Sequence, residues 1–269
     1  MKKIIITSAI VGSLPTKEQT PYVPITPDEM AEDALKCYEA GASVIHVHAR
    51  TNDGVNTHNT EIFKEIHDKI KEKVPELIVQ ISTGGRAGLG FESRNKGLLF
   101  NPEMASLTTG SVNFPTSVYA NSPDLVENLA KMMHERNIKP ELEIFDTSMI
   151  NPALDLLVKD LLKGPLYFNF VMGIKGGQEA SFRQLNHLLS MIPEGSEWSI
   201  SGVGKEQLFT SFMGVTLGGH VRVGLEDNIY YSRGVLATNA GLVKRVVRIA
   251  TEYGREVATP NEARKILGL

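Results

Sequence analysis

The chain has 269 residues, 42% of them hydrophobic and 22% charged, with a formal net charge of −3. This is ordinary globular composition, with ample length for a large buried core. The slight acidic excess gives no support for a nucleic-acid footprint, the one cysteine rules out an intrachain disulfide, and no apolar run approaches a membrane-spanning length, so the expectation is a soluble cytoplasmic protein.

The opening MKKIIITSAIVGS has the basic start of a signal peptide, but its apolar run is short and β-branched and reads as a first strand over 4–10. A long Pro-containing loop, AIVGSLPTKEQTPYVP, leads out of it. TPDEMAEDALKCYEAG then predicts a helix, with Thr26 as N-cap, Pro27 at the first helical position, Glu29 closing a capping box and Gly41 as the stop. SVIHVHA (43–49) is the second strand, NTEIFKEIHDKIKEKV a helix, LIVQIST (77–83) the third strand and ASLTTGS (105–111) the fourth. SPDLVENLAKMMHERN, MINPALDLLVKDLLKG and SFRQLNHLLSMI read as helices that alternate with strands ELEIFDT (141–147), LYFNFVMG (166–173) and WSISGVG (198–204). HVRVGLE (220–226) is the eighth strand, NAGLVKRVVRIATEYG the helix after it, and TPNEARKIL repeats the Thr-Pro-x-Glu cap. Roughly eight strands alternating with helices predict a (β/α)8 barrel forming a single domain over 1–269. The rival, an open doubly wound sheet, lacks its Gly-rich fingerprint after the first strand.

A barrel places chemistry at the C-terminal ends of its strands. Polar residues cluster there: His46 and His48 on the second strand, Ser82 and Thr83 on the third before GGR, Ser106, Thr108 and Thr109 on the fourth, Glu143 in the fifth, and Arg222, Glu226 and Asp227 in and after the eighth. His46 and His48 share a strand face, so they read equally as a metal pair or as two polar residues on a wet face. The last strand of a closed barrel neighbours the first, which would let Glu226 supply a third ligand; taken alone, it reads as a salt-bridged surface carboxylate. Arg222 needs carboxylate counter-charges if buried, Glu143 among them; the network reads either as structural or as one in which Arg222 holds Asp227 as a general base. ISTGGR (81–86) reads either as an anion cradle or as a plain tight turn. GIKGG (173–177) and GVGKEQ (202–207) are weak candidates for a phosphate-bearing cofactor.

The combination of VIHVHAR, QISTGGR, PEMASLTTGSVNF, PELEIFDTSMI and GGHVRVGLEDNIYYSRGVLATNAGLVKRVVRIA resembles the β-keto acid cleavage enzymes over essentially the whole chain. The resemblance implies a zinc-containing (β/α)8 barrel assembled as a homotetramer. It implies His46, His48 and Glu226 as ligands to Zn2+, although such a donor set also suits other divalent ions. Ser82, Gly85, Ser106 and Thr108 would hold the substrate's carboxylate and keto groups. Asp227 would be the base, positioned by Arg222 with Glu143 behind it. The implied reaction joins a β-keto acid to acetyl-CoA and yields acetoacetate and a new acyl-CoA. Where the family member that cleaves 3-keto-5-aminohexanoate in lysine fermentation has a glutamate for the substrate's ammonium group, this chain has Leu14. A leucine cannot pair with that charge, so the expected substrate tail is neutral or apolar. The competing readings are 3-keto-5-aminohexanoate itself as substrate, a metal-dependent aldolase or lyase without CoA, and a non-catalytic binding barrel.

Overall fold

Eight short parallel strands close on themselves in a computed structural model that describes residues 1–85 and 89–269. They are β1 (Ile6–Ala9), β2 (Val44–Val47), β3 (Ile78–Ile81), β4 (Met104–Thr108), β5 (Lys139–Ile144), β6 (Tyr167–Met172), β7 (Glu197–Gly202) and β8 (His220–Val223). Each pairs with the next, and β8 closes the barrel on β1 in the register Ile6–Val221, Thr7–Arg222, Ser8–Val223. The helices α1 (Pro27–Glu39), α2 (Thr60–Lys73), α3 (Phe91–Arg94), α4 (Pro123–Glu135), α5 (Ile150–Val158), α6 (Phe182–Met191), α7 (Gln207–Thr216) and α8 (Asn239–Glu252) each follow the strand of the same number. A further helix, α9 (Pro260–Leu267), ends the chain. Both Thr-Pro-x-Glu caps form: the Thr26 and Thr259 hydroxyls accept from the backbone of Glu29 and Glu262, whose carboxylates reach back to the cap N–H groups.

Side-chain alternation divides the barrel into an outer and an inner set. Outward residues such as Ile45, Val47, Val79, Ile81, Leu142 and Phe168 join the helices in the main core. Inward residues change character along the axis. At the N-terminal end Ile5, Val44, Ile78, Met104 and Tyr167 form an apolar floor, sealed from below by Ala263 and Leu267 of α9. Two residues further up, the inward positions hold His46, Gln80, Ser106, Glu141, Asn169 and Arg222, all buried.

Three elements differ from the sequence expectation. β8 stops at Val223, because Gly224 takes φ +149° and lies so close to Ala9 that a Cβ would sit 2.1 Å from its carbonyl oxygen. Glu226 and Asp227 therefore stand in a turn beyond the strand. Helix α7, QLFTSFMGVT, carries no charge and has a glycine and β-branched residues, so its propensity signal is weak; it forms because it packs closely on β7 and β8, with Gly214 against Val221 and Ile200. Among the described residues, the connection from β3 to β4 holds the one-turn α3 and a short 3₁₀ turn.

Glu141 is wholly buried in the inner polar layer, where Asn169 Nδ2 donates to Oε1 at 3.3 Å. Burial, only partly opposed by the Arg222 charge, raises its carboxyl from 4.5 to about 7. The folded state thus binds a proton there that the unfolded chain has released. This group's contribution is greatest below pH 4.5 and is lost as pH rises to about 7, on the order of 3 kcal/mol in all. Glu141→Gln, compared with the parent by urea unfolding from pH 5 to pH 8, should gain relative stability steadily with pH. A stability difference that stays constant with pH would show that Glu141 is ionised in the folded protein.

Candidate active site

His46 lies in β2 and His48 just past its end, and both rings turn into the mouth of the barrel, 5.4 Å apart and inclined at 66°. Glu226 reaches them from across the β1–β8 seam: one carboxylate oxygen lies 3.6 Å from His46 Nε2 and the other 3.4 Å from His48 Nε2. One ligand atom from each of the three residues falls within a 4.8 Å group.

The seam is built to hold that carboxylate. Glu226 N donates to Ala9 O at 3.1 Å, and Gly12, at φ +62°, lies where a Cβ would come 2.5 Å from Glu226 Cγ. Asn239, the first residue of α8, accepts from Leu225 N at 2.7 Å and donates to Ile10 O at 2.9 Å and Asp33 Oδ2 at 2.6 Å. One buried amide thereby ties the ends of β1 and β8 beside Glu226.

The donor set fits a divalent cation. Gln80 Oε1 accepts from His46 Nδ1 at 2.6 Å, which leaves the Nε2 lone pair facing Glu226. Burial pushes the His46 pKa down to about 3, so the ring is neutral and able to ligate. Glu226 Oε2 is buried without a hydrogen-bond donor among the described residues. The Arg222 guanidinium beside Glu226 holds its carboxyl well below the usual carboxylate range, against the effect of burial.

Arg222 organises the remaining charges. It is 3% exposed and donates through Nε and Nη2 to both oxygens of Asp227 at 3.0 and 3.1 Å, through Nη2 to Glu226 at 2.7 Å, and through Nη1 to Glu143 at 3.2 Å. Burial lifts the Asp227 carboxyl to about 6 although Arg222 pulls it down, so it is mainly ionised at neutral pH. Three carboxylates around one guanidinium leave an excess of negative charge that a divalent ion would balance.

The STGG turn abuts this centre: a Cβ on Gly84 would lie 3.8 Å from His48 Cε1 and 2.9 Å from the Tyr119 hydroxyl. Gly84 N donates to Ser82 Oγ at 3.1 Å and Thr83 N to Ser106 Oγ at 3.3 Å. Both serine hydroxyls thus keep their own protons for another acceptor. Thr108 donates to Glu143 at 2.7 Å, so Tyr119, 3.1 Å away, donates to Thr108. Gly85 lies against the Arg94 side chain, with 3.0 Å from its would-be Cβ to Arg94 Cδ. Arg86, the last residue of the proposed cradle motif, lies outside the described residues.

Leu14 is 67% exposed on the first loop, whose carbonyls at Val11, Gly12 and Pro15 all accept from Arg50. In the two Gly-rich loops offered for phosphate, Gly173 and Gly204 make left-handed turns, and the exposed Lys205 reaches its neighbour Glu206 at 3.6 Å. Gln80, Tyr119 and Asn239 belong to the site and were not singled out from the sequence. Gln80 had a signal, as a polar residue inside the apolar run LIVQIST. Tyr119 and Asn239 had none.

The pattern of the family described as beta-keto acid cleavage enzyme matches residues 3–269. The chain belongs to the β-keto acid cleavage enzyme family. It is 46% identical over 271 residues to the 3-keto-5-aminohexanoate cleavage enzyme of Acetoanaerobium sticklandii, covering 100% of this chain and 99% of that protein. It is 44% identical over 269 residues to the 3-oxoadipate:acetyl-CoA acetyltransferase of Cupriavidus necator, covering 98% and 94%. Among solved structures, apo ObcA superposes with a TM-score of 0.81 at 23% identity, over 93% of this chain and 66% of that one, a likeness of fold.

In this β-keto acid cleavage enzyme the Gln80 bond should set the metal affinity of His46. Gln80→Leu, of similar volume, should loosen divalent-ion binding about 10- to 100-fold in a chelator competition. Unchanged affinity would show that packing alone orients the ring.

Proposed function

We propose that this protein is a zinc-dependent acyltransferase that condenses a β-keto acid with acetyl-CoA and releases acetoacetate and a new acyl-CoA. The observation that carries the reading is the convergence of His46, His48 and Glu226 with the Arg222–Asp227 pair on one side and the STGG turn on the other. The names of the relatives support it, one as a keto acid cleavage enzyme and one as an acetyl-CoA acetyltransferase. We take the protein to work in the cytoplasm as a homotetramer, following the family resemblance.

A divalent ion held by His46, His48 and Glu226 would supply Lewis acidity that lowers the pKa of the substrate's C2 proton. The Ser82 and Ser106 hydroxyls, with the Gly85 backbone, orient the carboxylate and keto oxygens, and Thr108 carries the bond from Tyr119 to Glu143. Asp227, held by both nitrogens of Arg222, takes the C2 proton. The C2 carbanion attacks the acetyl carbon, the carbon–sulfur bond breaks, and the CoA thiolate leaves. That thiolate then attacks the original keto carbon. The bond from this carbon to C2 breaks, acyl-CoA departs, and Asp227 returns its proton to C2 of acetoacetate. No covalent acyl-enzyme is needed, in keeping with Cys37 being buried away from the mouth.

Leu14, where the resembled enzyme has a glutamate, favours a neutral or apolar tail over the ammonium of 3-keto-5-aminohexanoate. The 46% identity to the Acetoanaerobium sticklandii enzyme favours the latter as the second reading. A panel of β-keto acids assayed with acetyl-CoA, with acetoacetate and acyl-CoA as readouts, separates them. We expect 3-ketohexanoate-like acids to outrun the amino acid, with no turnover when acetyl-CoA is omitted. Cleavage without acetyl-CoA would establish an aldolase or lyase instead. Asp227→Asn should keep its metal and lose turnover by at least about 100-fold; near-normal turnover would remove Asp227 as the base.

A further inference from the structure

Arg94, the last residue of α3, is one of the largest fully buried side chains, at 1% exposure. Its hydrogen bonds all go to neutral oxygens: Nε to Thr83 O at 2.6 Å, Nη1 to Ala120 O at 3.1 Å and Nη2 to Asn121 Oδ1 at 2.7 Å. Its guanidinium carbon lies 5.6 Å from the Tyr119 ring centre. Among the described residues no carboxylate pairs with it, and residues 86–88 are Arg, Ala and Gly, with no acid among them. The contrast is with Arg222, equally buried and facing three carboxylates. A guanidinium removed from water without a counter-charge is costly, and hydrogen bonds to carbonyls offset only part of that cost.

The position of this charge is specific. Its Nε holds the Thr83 carbonyl, and its methylene chain lies directly under Gly85. It therefore packs directly against the STGG turn that carries Ser82. Its field extends into the site, where it eases ionisation of the Tyr119 phenol against the effect of burial. A carboxylate in the turn would meet the serine hydroxyl donors directly and this positive charge through the turn.

We propose that Arg94 is the counter-charge for the carboxylate of the substrate, acting through the STGG turn as a positioning residue that makes the site require an anionic keto acid. The inference rests on the reading that a β-keto acid binds against this turn. It assigns selectivity between an acid and its neutral analogue to a residue that does not touch the substrate.

The test changes charge with little change of shape. Asn121→Asp places a carboxylate on the oxygen that already accepts from Arg94, cancelling the charge in place. With the metal-loaded enzyme, KM for the β-keto acid should rise at least about tenfold while KM for acetyl-CoA stays constant. Binding of the matching β-keto amide, followed by calorimetry, should be unchanged. Arg94→Lys keeps the charge and loses the planar fork, and should keep most of the preference for acid over amide; Arg94→Gln should lose it. Acid and amide weakened equally in these variants would mean that Arg94 only braces the turn, and the proposal would fall. An unchanged acid preference in Asn121→Asp, or in Arg94→Gln if that aspartate variant does not fold, would also overturn it. Calorimetry with the keto acid needs no turnover. Charge-dependent carboxylate binding without any reaction would thus count against the acyl-transfer reading and leave the role of Arg94 standing.

Discussion

Arg222 is the interaction on which the rest of the site depends. It rises from β8, takes Glu143 from the opposite side of the barrel, and gathers Glu226 and Asp227 from the turn just beyond its own strand. Glu226 and Asp227 would not stay buried and ionised without it, and removing one partner of such a buried group typically costs about 3–5 kcal/mol. The same guanidinium favours the ionised form of both Glu226 and Asp227 against the effect of burial. Glu226 and Asp227 are adjacent residues, yet they titrate differently because their environments differ. Glu226 also feels two histidines, whereas Asp227 is buried next to two other carboxylates.

The barrel separates stability from chemistry along its axis. The floor of Ile5, Val44, Ile78, Met104 and Tyr167 is apolar and plugged by α9. Directly above it, the polar layer joins neighbouring strands through pairs such as His46–Gln80, Asn169–Glu141 and Asn169–Ser201. Hydrogen bonds of this kind are stronger in a dry interior and costly when left unmade, so the layer rigidifies the strands whose upper ends bear the site. The seam between β1 and β8 is the exacting part. There Gly12, Gly224 and Asn239 let two chain ends approach within contact and place Glu226 opposite the histidines.

Legibility followed the range of the interaction. The capping boxes at Thr26 and Thr259 join residues three apart, so the sequence displays them directly. The His46–His48 spacing is equally local, because strand alternation alone gives both rings the same face. A strand was expected over 220–226; Arg222 and Glu226 meet because Gly224 breaks it and the turn folds Glu226 back. Gln80 lies 34 residues from His46 and Asn239 lies 229 from Ile10, and no local pattern encodes either pairing. Helix α7 was missed for the opposite reason: its local propensity is poor, and packing on β7 and β8 makes it helical.

The sequence by itself determined the alternation of strands and helices, the caps, and the set of polar residues waiting at the strand ends, since these arise from side-chain period and nearest-neighbour chemistry. Its whole-length resemblance to a family added roles that spacing could not supply. Only the tertiary structure decided which of those residues meet. Closing the barrel brings β8 beside β1, which sets Glu226 against His46 and His48 and gives Arg222 its three carboxylates. The same closure leaves Arg94 buried against the STGG turn with neutral partners alone among the described residues. Charge compensation is a property of what surrounds a group in space, and the order of residues along the chain does not record it.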